Sequence, residues 1–278
     1  VHKRSWHEDK RILEKDAIPR WGHIKIKDVT RRDVVALLDD IVDRGSPIAA
    51  NRTLACVRKM FNYGVERSIL ETSPCVGVKA PGKETRRDRV LTDEEICAFW
   101  EGLERTTIGM PIRYALKLQL VTAQRKGEIV AAEWPDFDLN ARWWTIPAGR
   151  SKNHLAHRVP LSVLARELLH EMPRLDDRYL FPSPTGSRPM GDTSVDHAVR
   201  RNLDTFGIGR FTPHDLRRTA ASHMTSTGVP RLVVSKILNH AETGVTAVYD
   251  RHSYDAEKCQ ALDTWGQKLE AIIGGGPN

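Results

Sequence analysis

Residues 212–224 read TPHDLRRTAASHM, and this stretch determines how we interpret the second half of the chain. Thr212 and Pro213 are typical of a helix start and Gly228 is typical of a helix end, so the pattern predicts a helix between them. His214 and Arg217 stand three residues apart near its start, so their side chains project from the same face. Neighbouring positive charge holds the pKa of an imidazole down, which favours His214 as a proton acceptor.

Four more residues that suit phosphodiester chemistry occur in order along the chain. Arg125 lies in TAQRKGEI, Lys152 in GRSKNHLAHRVPLS, His240 in KILNH and Tyr249 in TAVYDRH. An arginine donates two parallel hydrogen bonds to a phosphate and stays charged at any working pH. We therefore expect Arg125 and Arg217 to clamp the two non-bridging oxygens of a scissile phosphate.

The other residues of this set have complementary roles in the same hypothesis. Tyr249 is the candidate nucleophile, which needs cationic surroundings or a base because the free phenol has a pKa of about 10. His240 is a candidate hydrogen-bond donor to the phosphate. Lys152, on a turn between two strands, is the candidate general acid for the leaving 5′ oxygen. The pattern predicts cleavage and rejoining of DNA without a metal ion or other cofactor.

Composition limits the classes of protein to consider. The chain has 278 residues and 40% hydrophobic content, enough to bury a core in one or two domains. No run approaches the ~18 apolar residues of a membrane span, so we expect a soluble protein. The four cysteines form no CxxC pair, which argues against zinc and disulfides and predicts reduced, cytosolic thiols; they are Cys56, Cys75, Cys97 and Cys259. Cys259 has no setting that supports a nucleophile.

The charge is unevenly distributed. Residues 1–90 hold 20 Lys and Arg against 13 Asp and Glu, whereas residues 91–278 hold 23 of each. A basic region of this kind is expected of a protein that binds phosphates, because neutralised phosphates release counterions. A solvated basic surface explains the charge equally well.

Residues 1–80 are predicted to form a small helical domain. One helix would run from Thr30 to about Arg44 and a second from Pro47 to about Ser68. On the second helix, Arg52 and Lys59 share a face away from the apolar stripe. We consider them candidate DNA-backbone contacts, with a solvated outer face as the alternative.

The composition of residues 72–90 is typical of a linker, and we place the domain linker at residues 81–90. Thr92 and Glu95 have the spacing of a capping box, so a second domain is expected over residues 91–278. It combines predicted helices with two strand-like runs, residues 143–146 and 157–161. The fold class is therefore mainly α with a small antiparallel β-sheet, in a small helical domain and a larger one.

With these segments in order, the sequence resembles the tyrosine recombinases, the family that includes the phage integrases. The resemblance covers about residues 88–265, through VTAQRKGEIVAAEW, SKNHLAHRVPLS, TPHDLRRTAASHM, ILNH and VYDRHSYDAEK. Residues 1–80 resemble the core-binding domain that precedes the catalytic domain. Ala123 and Asn239 stand where the family commonly has glycine, and neither position supplies a reacting group.

The resemblance implies a site-specific recombinase of a prophage or genomic island. Its two domains would clamp duplex DNA, Tyr249 would form a 3′-phosphotyrosine bond, and four protomers would exchange strands through a Holliday junction. Glu128 would orient the catalytic residues without reacting. An excisionase and a host DNA-bending protein are expected helpers, and the protein would be cytoplasmic and associated with the nucleoid. Integrases with a similar YDRHSYDAEK run usually carry a further N-terminal domain that binds arm-type DNA sites, and we expect that domain to be missing from the sequence that begins at Val1.

Several alternatives remain open at this point. Tyr254 is a rival nucleophile, but fourteen residues separate it from His240, whereas the family has the nine-residue gap of Tyr249. A type IB topoisomerase shares the same residue logic, and a non-catalytic DNA-binding fragment is a further alternative. A metal-dependent nuclease would use carboxylates such as Asp136 and Asp138, which lie in no recognisable metal-ligand pattern.

Overall fold

The computed structural model describes residues 6–85, 88–186, 188–240 and 252–275. The chain divides into two compact units, residues 1–87 and 88–278. Within the described ranges, every helix is too short or too polar to cross a membrane. The mainly helical fold with a small antiparallel sheet confirms the predicted fold class.

Within residues 6–85, the first unit contains four α-helices with a π-helical turn and a 3-10 turn among them. The α-helices are α1 (Trp6–Ile12), α2 (Ile18–Trp21), α3 (Arg31–Asp43) and α4 (Pro47–Glu66); the turns are Leu13–Ala17 and Ile26–Asp28. Thr30 and Asp33 form a reciprocal capping box that begins α3, and Gly45, with φ +74°, follows its end. Both long helices agree with the sequence prediction to within about two residues.

The segment after α4 folds back onto the first unit instead of leaving it as a linker. Cys75 and Val78 are buried in the same core as Phe61 and Leu37. The carboxamide of Asn51 donates to Gly82 O and accepts from Gly82 N, both at 2.8 Å. Residues 72–80 are therefore not a linker, although their composition is typical of one, because Cys75 and Val78 are buried in a core that local polarity does not reveal.

The second unit contains nine α-helices and three strands within the described residues. The helices are α5 (Asp93–Arg105), α6 (Met110–Thr122), α7 (Lys126–Val130), α8 (Val163–Glu171), α9 (Asp192–Arg201), α10 (Leu203–Phe206), α11 (Pro213–Ser226), α12 (Arg231–Ile237) and α13 (Asp255–Gly274). Thr92 and Glu95 form the predicted capping box of α5. Gly228, with φ +89°, follows α11.

A three-stranded antiparallel sheet in the order β1-β2-β3 lies between α7 and α8 in the chain. Its strands are β1 (Phe137–Asp138), β2 (Trp143–Ile146) and β3 (His157–Pro160). Trp144 is paired with Val159 and Ile146 with His157, and these inward residues are all buried. The β2–β3 connection carries Lys152, as expected. The two-residue β1 was not predicted.

Helix α13 is packed into the core of the second unit. Trp265 is fully buried, and its indole Nε1 donates to Leu120 O on α6 at 3.0 Å. Gly266 lies so close to Ser162 that an added Cβ would meet its Cβ and Oγ at 3.0 Å. This packing fixes α6, whose C-terminal end leads directly to the candidate site.

Candidate active site

Two backbone carbonyls inside the second unit hold the guanidinium of Arg217. Its side chain projects from the first turns of α11 and is only 3% exposed. Nη1 donates to Ala123 O at 2.8 Å, and Nη2 donates to Leu238 O. Burial, and then the charge of Arg125, lowers the pKa of Arg217 to about 10. The group remains charged at neutral pH and lacks a carboxylate partner among the described residues, so it retains its attraction for an anion.

Two residues with left-handed backbone shape this part of the site. Ala123 follows α6 with φ +57°, and Asn239 follows α12 with φ +48°. The turn at Ala123 directs its carbonyl to Arg217, and the turn at Asn239 directs its carbonyl to Arg125. Glycine adopts this backbone most readily and asparagine tolerates it. Both positions therefore hold a backbone conformation that glycine would adopt without strain.

Arg125 stands at the N-cap of α7 and contacts two partners. Nη1 donates to Glu128 Oε1 at 2.9 Å, and Nη2 donates to Asn239 O at 2.9 Å. Glu128 is 4% exposed, and its other oxygen accepts from the backbone N of Arg125 at 3.2 Å. The carboxylate therefore fixes both the side chain of Arg125 and the start of its helix.

His214 and His240 flank the arginines at the surface. Both residues are exposed. Desolvation of each ring is the largest effect on its pKa, which it lowers. The charges of Arg217 and Arg125 lower both pKa values further, and His214 also acts on His240. The structure therefore brings these four sequence-predicted residues into one electrostatically coupled cluster with an open face.

Lys152 is exposed on the β2–β3 turn. No hydrogen bond or ion pair holds its amine within the part of the chain that the structure describes. Arg150, two residues earlier, holds the base of the turn by donating to Ala131 O at 2.7 Å and to Asp136 at 2.5 Å. The turn is thus anchored while the lysine itself is left available.

Tyr249 lies outside the described residues, so its role rests on the sequence. Tyr254, the rival nucleophile, lies within the described residues. It is the N-cap of α13, has φ +55°, and is partly buried against the core. The amine of Lys236 lies 4.8 Å from the centre of its ring. Burial raises the pKa of the Cys259 thiol, which makes a thiolate nucleophile unfavourable there.

The two carboxylates of the nuclease alternative have structural partners. Asp136 accepts from Arg150 through Oδ1 and from the backbone N of Glu133 through Oδ2. Asp138 accepts from Ala141 N at 2.8 Å. No group of three potential metal ligands occurs in residues 6–85, 88–186, 188–240 and 252–275. The contacts of Asp136 and Asp138 assign both to the support of local backbone.

Sequence reasoning missed two supporting residues. Asp215 is buried, caps α11 through the backbone N of Thr212 at 2.8 Å, and accepts from Arg218 at 2.5 Å. The three-residue spacing of Thr212 and Asp215 was a signal for this capping box. Asn239 supplies no reacting group, yet its side chain contacts the turn that carries Lys152. No local sequence signal indicates that contact.

In the first unit, Arg52 and Lys59 are exposed on α4, as the sequence predicts. Lys59 Nζ lies 3.8 Å from Asp9 Oδ2 on α1. The hydrogen bond from Arg11 lowers the pKa of Glu8 most, and the charge of Arg52 lowers it further. The two cations therefore share their surface with two carboxylates of α1. A phosphate bound there would compete with these carboxylates.

Comparison with known proteins extends these observations. A family model described as the phage integrase family matches residues 89–256, and one described as the phage integrase central domain matches residues 2–80. Prophage integrase IntA of Escherichia coli (strain K12) is 26% identical over 272 residues, which cover 95% of this chain. The chain spans 65% of the length of that relative, slightly less than two thirds.

Solved structures show the same fold. A lambda integrase (75–356) dimer bound to a COC′ core site has a TM-score of 0.71 and 18% identity, over 87% of this chain and 89% of that chain. A lambda integrase tetramer bound to a Holliday junction has a TM-score of 0.69 and 18% identity, over 87% of this chain and 73% of that chain.

Proposed function

The chain belongs to the phage integrase family, and from this premise we propose that it is a site-specific DNA recombinase that cleaves and rejoins duplex DNA through a 3′-phosphotyrosine intermediate. Integration or excision of a mobile element is the process it would serve. The matched family models favour this function over a type IB topoisomerase or a non-catalytic DNA-binding fragment.

The observation that carries the proposal is the cluster of Arg125, Arg217, His214 and His240. Attack on a phosphodiester adds charge to the phosphorus oxygens, and cations preorganised around them lower the barrier most. Backbone carbonyls fix both guanidinium groups, and the Arg125 side chain is 21% exposed whereas Arg217 is 3% exposed. One phosphate bound at this face would meet two forked donors and two imidazoles.

The proposed reaction assigns each proton. The phenol oxygen of Tyr249 forms a bond to phosphorus while its proton passes to His214, and the bond from phosphorus to the 5′ oxygen breaks. Lys152 gives a proton to that oxygen, which leaves as a free hydroxyl. His240 hydrogen-bonds the phosphate, and Glu128 keeps Arg125 oriented. A 5′ hydroxyl of a second strand reverses the same steps and rejoins the DNA.

We assign DNA contacts to both parts of the chain. Residues 1–80 would form a core-type DNA-binding domain with Arg52 and Lys59 along the backbone, residues 81–90 would connect it, and residues 91–278 would be catalytic. Binding to double-stranded DNA would precede assembly of a homotetramer, with an excisionase and a host DNA-bending protein as helpers. Such a protein would act in the cytoplasm, at the nucleoid.

Trapping of a covalent adduct tests the proposal. The protein is incubated in EDTA with nicked duplex from the junction that flanks its gene, and adducts are separated on a denaturing gel. Wild type and Tyr254→Phe should form the adduct, and Tyr249→Phe should not. Arg125→Ala and Arg217→Ala should suppress it while retaining much of the DNA binding. An adduct that persists in Tyr249→Phe, or a strict need for a metal ion, refutes the proposal.

A further inference from the structure

Asn239 connects two parts of the candidate site. Its backbone O accepts from Arg125 Nη2 at 2.9 Å. Its carboxamide reaches the residues on either side of Lys152: Nδ2 donates to Ser151 Oγ at 3.0 Å, and Oδ1 accepts from Asn153 Nδ2 at 2.7 Å. One residue thus joins an arginine of the phosphate clamp to the turn that carries the lysine.

The contacts around the turn form a closed hydrogen-bond network. Ser151 is fully buried, and its Oγ donates to Asn153 Oδ1 at 2.7 Å. Asn153 Oδ1 also accepts from Leu155 N at 3.2 Å and from Asn239 Nδ2 at 3.3 Å. Lys152 lies exposed between the anchored residues Ser151 and Asn153. The carboxamide of Asn239 therefore holds the side chains of both residues that flank Lys152.

We propose that Asn239 is a positioning residue for Lys152, holding the β2–β3 turn so that the amine can reach the leaving 5′ oxygen of a phosphate bound by Arg125. The inference rests on the proposed recombinase function. Its physical basis is that general acid catalysis requires the donor within hydrogen-bond reach of the leaving oxygen. A displacement of about 1 Å can cost ~10²-fold in rate.

Glycine is the informative replacement at this position. Because Asn239 has φ +48°, Asn239→Gly keeps the left-handed turn without strain. The backbone O that accepts from Arg125 is also kept. Only the carboxamide and its bonds to Ser151 and Asn153 are lost, so the variant separates the turn from the clamp.

The test compares two nicked duplexes, one natural and one with sulfur in place of the bridging 5′ oxygen. A thiolate leaves without protonation, because a thiol has a pKa of about 8.5, so cleavage of the sulfur substrate does not need Lys152. Asn239→Gly should slow adduct formation about 10–100-fold on the oxygen substrate. On the sulfur substrate its rate should stay within about 3-fold of wild type. Lys152→Ala should show the same selectivity, more strongly.

Two further variants sharpen the result. Asn153→Ala should reproduce the selective loss, and combined with Asn239→Gly it should add little, because both remove one network. Asn202→Ala is the matched control, since that amide joins Thr107 N and Ala198 O away from the site. It should leave the ratio of the two rates unchanged even if the protein is less stable.

The outcomes separate the inference from the function on which it rests. Equal slowing on both substrates by Asn239→Gly, or no slowing on either, overturns the positioning role of Asn239. If wild type forms no adduct with either substrate, the proposed function itself is refuted and the inference falls with it.

Discussion

Replacing Glu128 with alanine would measure how much the buried carboxylate contributes to the start of α7. The substitution removes two hydrogen bonds, from Arg125 Nη1 at 2.9 Å and from the backbone N of Arg125 at 3.2 Å. The first is charge-assisted, worth roughly 1.5–3 kcal/mol. The Arg125 side chain is 21% exposed and its guanidinium can recover some hydration, so we take the lower end.

Loss of the helix cap adds about 1 kcal/mol. Together, the two terms predict that Glu128→Ala lowers the free energy of unfolding by about 2.5 kcal/mol, or the Tm of a unit of this size by roughly 5–10 °C. Urea denaturation followed by tryptophan fluorescence measures the change, because five of the seven tryptophans lie in the second unit.

Glu101 provides the matched control for this experiment. It pairs with Arg105 four residues later on α5 at 3.4 Å, and both side chains are more than half exposed. Glu101→Ala should therefore change stability by less than about 0.5 kcal/mol. A Glu128 variant as stable as the Glu101 variant would refute the reasoning that a buried carboxylate secures this turn.

Two further predictions concern pH. Burial lowers the pKa of His157 from 6.5 to about 4, so the unfolded chain binds the proton first on acidification. The free energy of unfolding should have its full value above about pH 6.5 and fall by roughly 3 kcal/mol as the pH drops toward 4. His157→Gln should flatten this part of the plot of urea midpoint against pH. An unchanged plot would contradict the assignment to His157. The rate of adduct formation should rise with pH through a midpoint below 6.5, because desolvation and the charge of Arg218 lower the pKa of His214. Arg218→Gln should move this midpoint upward, and a midpoint above 6.5 in wild type would argue against His214 as the acceptor.

Much of the fold follows from local signals. Thr30 and Gly45 bound α3, and the Thr92–Glu95 pair begins α5, because caps satisfy backbone groups within a few residues of themselves. The burial of Cys75 could not be predicted in this way. It depends on contacts with helices distant in sequence, and the polar composition around it indicates a linker.

The candidate site also combines residues that local sequence patterns predict with contacts between residues distant in sequence. Order and spacing predicted the candidate reacting residues, since their side-chain types suit the chemistry directly, and the structure brings Arg125, Arg217, His214 and His240 into one cluster. The supporting contacts were hidden: Asn239 and Ser151 are 88 residues apart, and only the tertiary fold brings them together. Asn239 also supplies no reacting group, so a search for chemistry in the sequence overlooks it.

The contacts that hold Arg125 and Arg217 also affect the pKa values of the two histidines. Backbone carbonyls, including those at the turns of Ala123 and Asn239, orient the guanidinium groups without cancelling their charge. Among the described residues, Glu128 supplies the only carboxylate bonded to either arginine. The remaining positive charge lowers the pKa values of His214 and His240 beyond the effect of desolvation. Further carboxylates in place of the carbonyls would raise those pKa values. In the proposed reaction the left-handed turns would therefore act twice, since they direct carbonyls to the arginines and leave the arginine charge that lowers the pKa of His214.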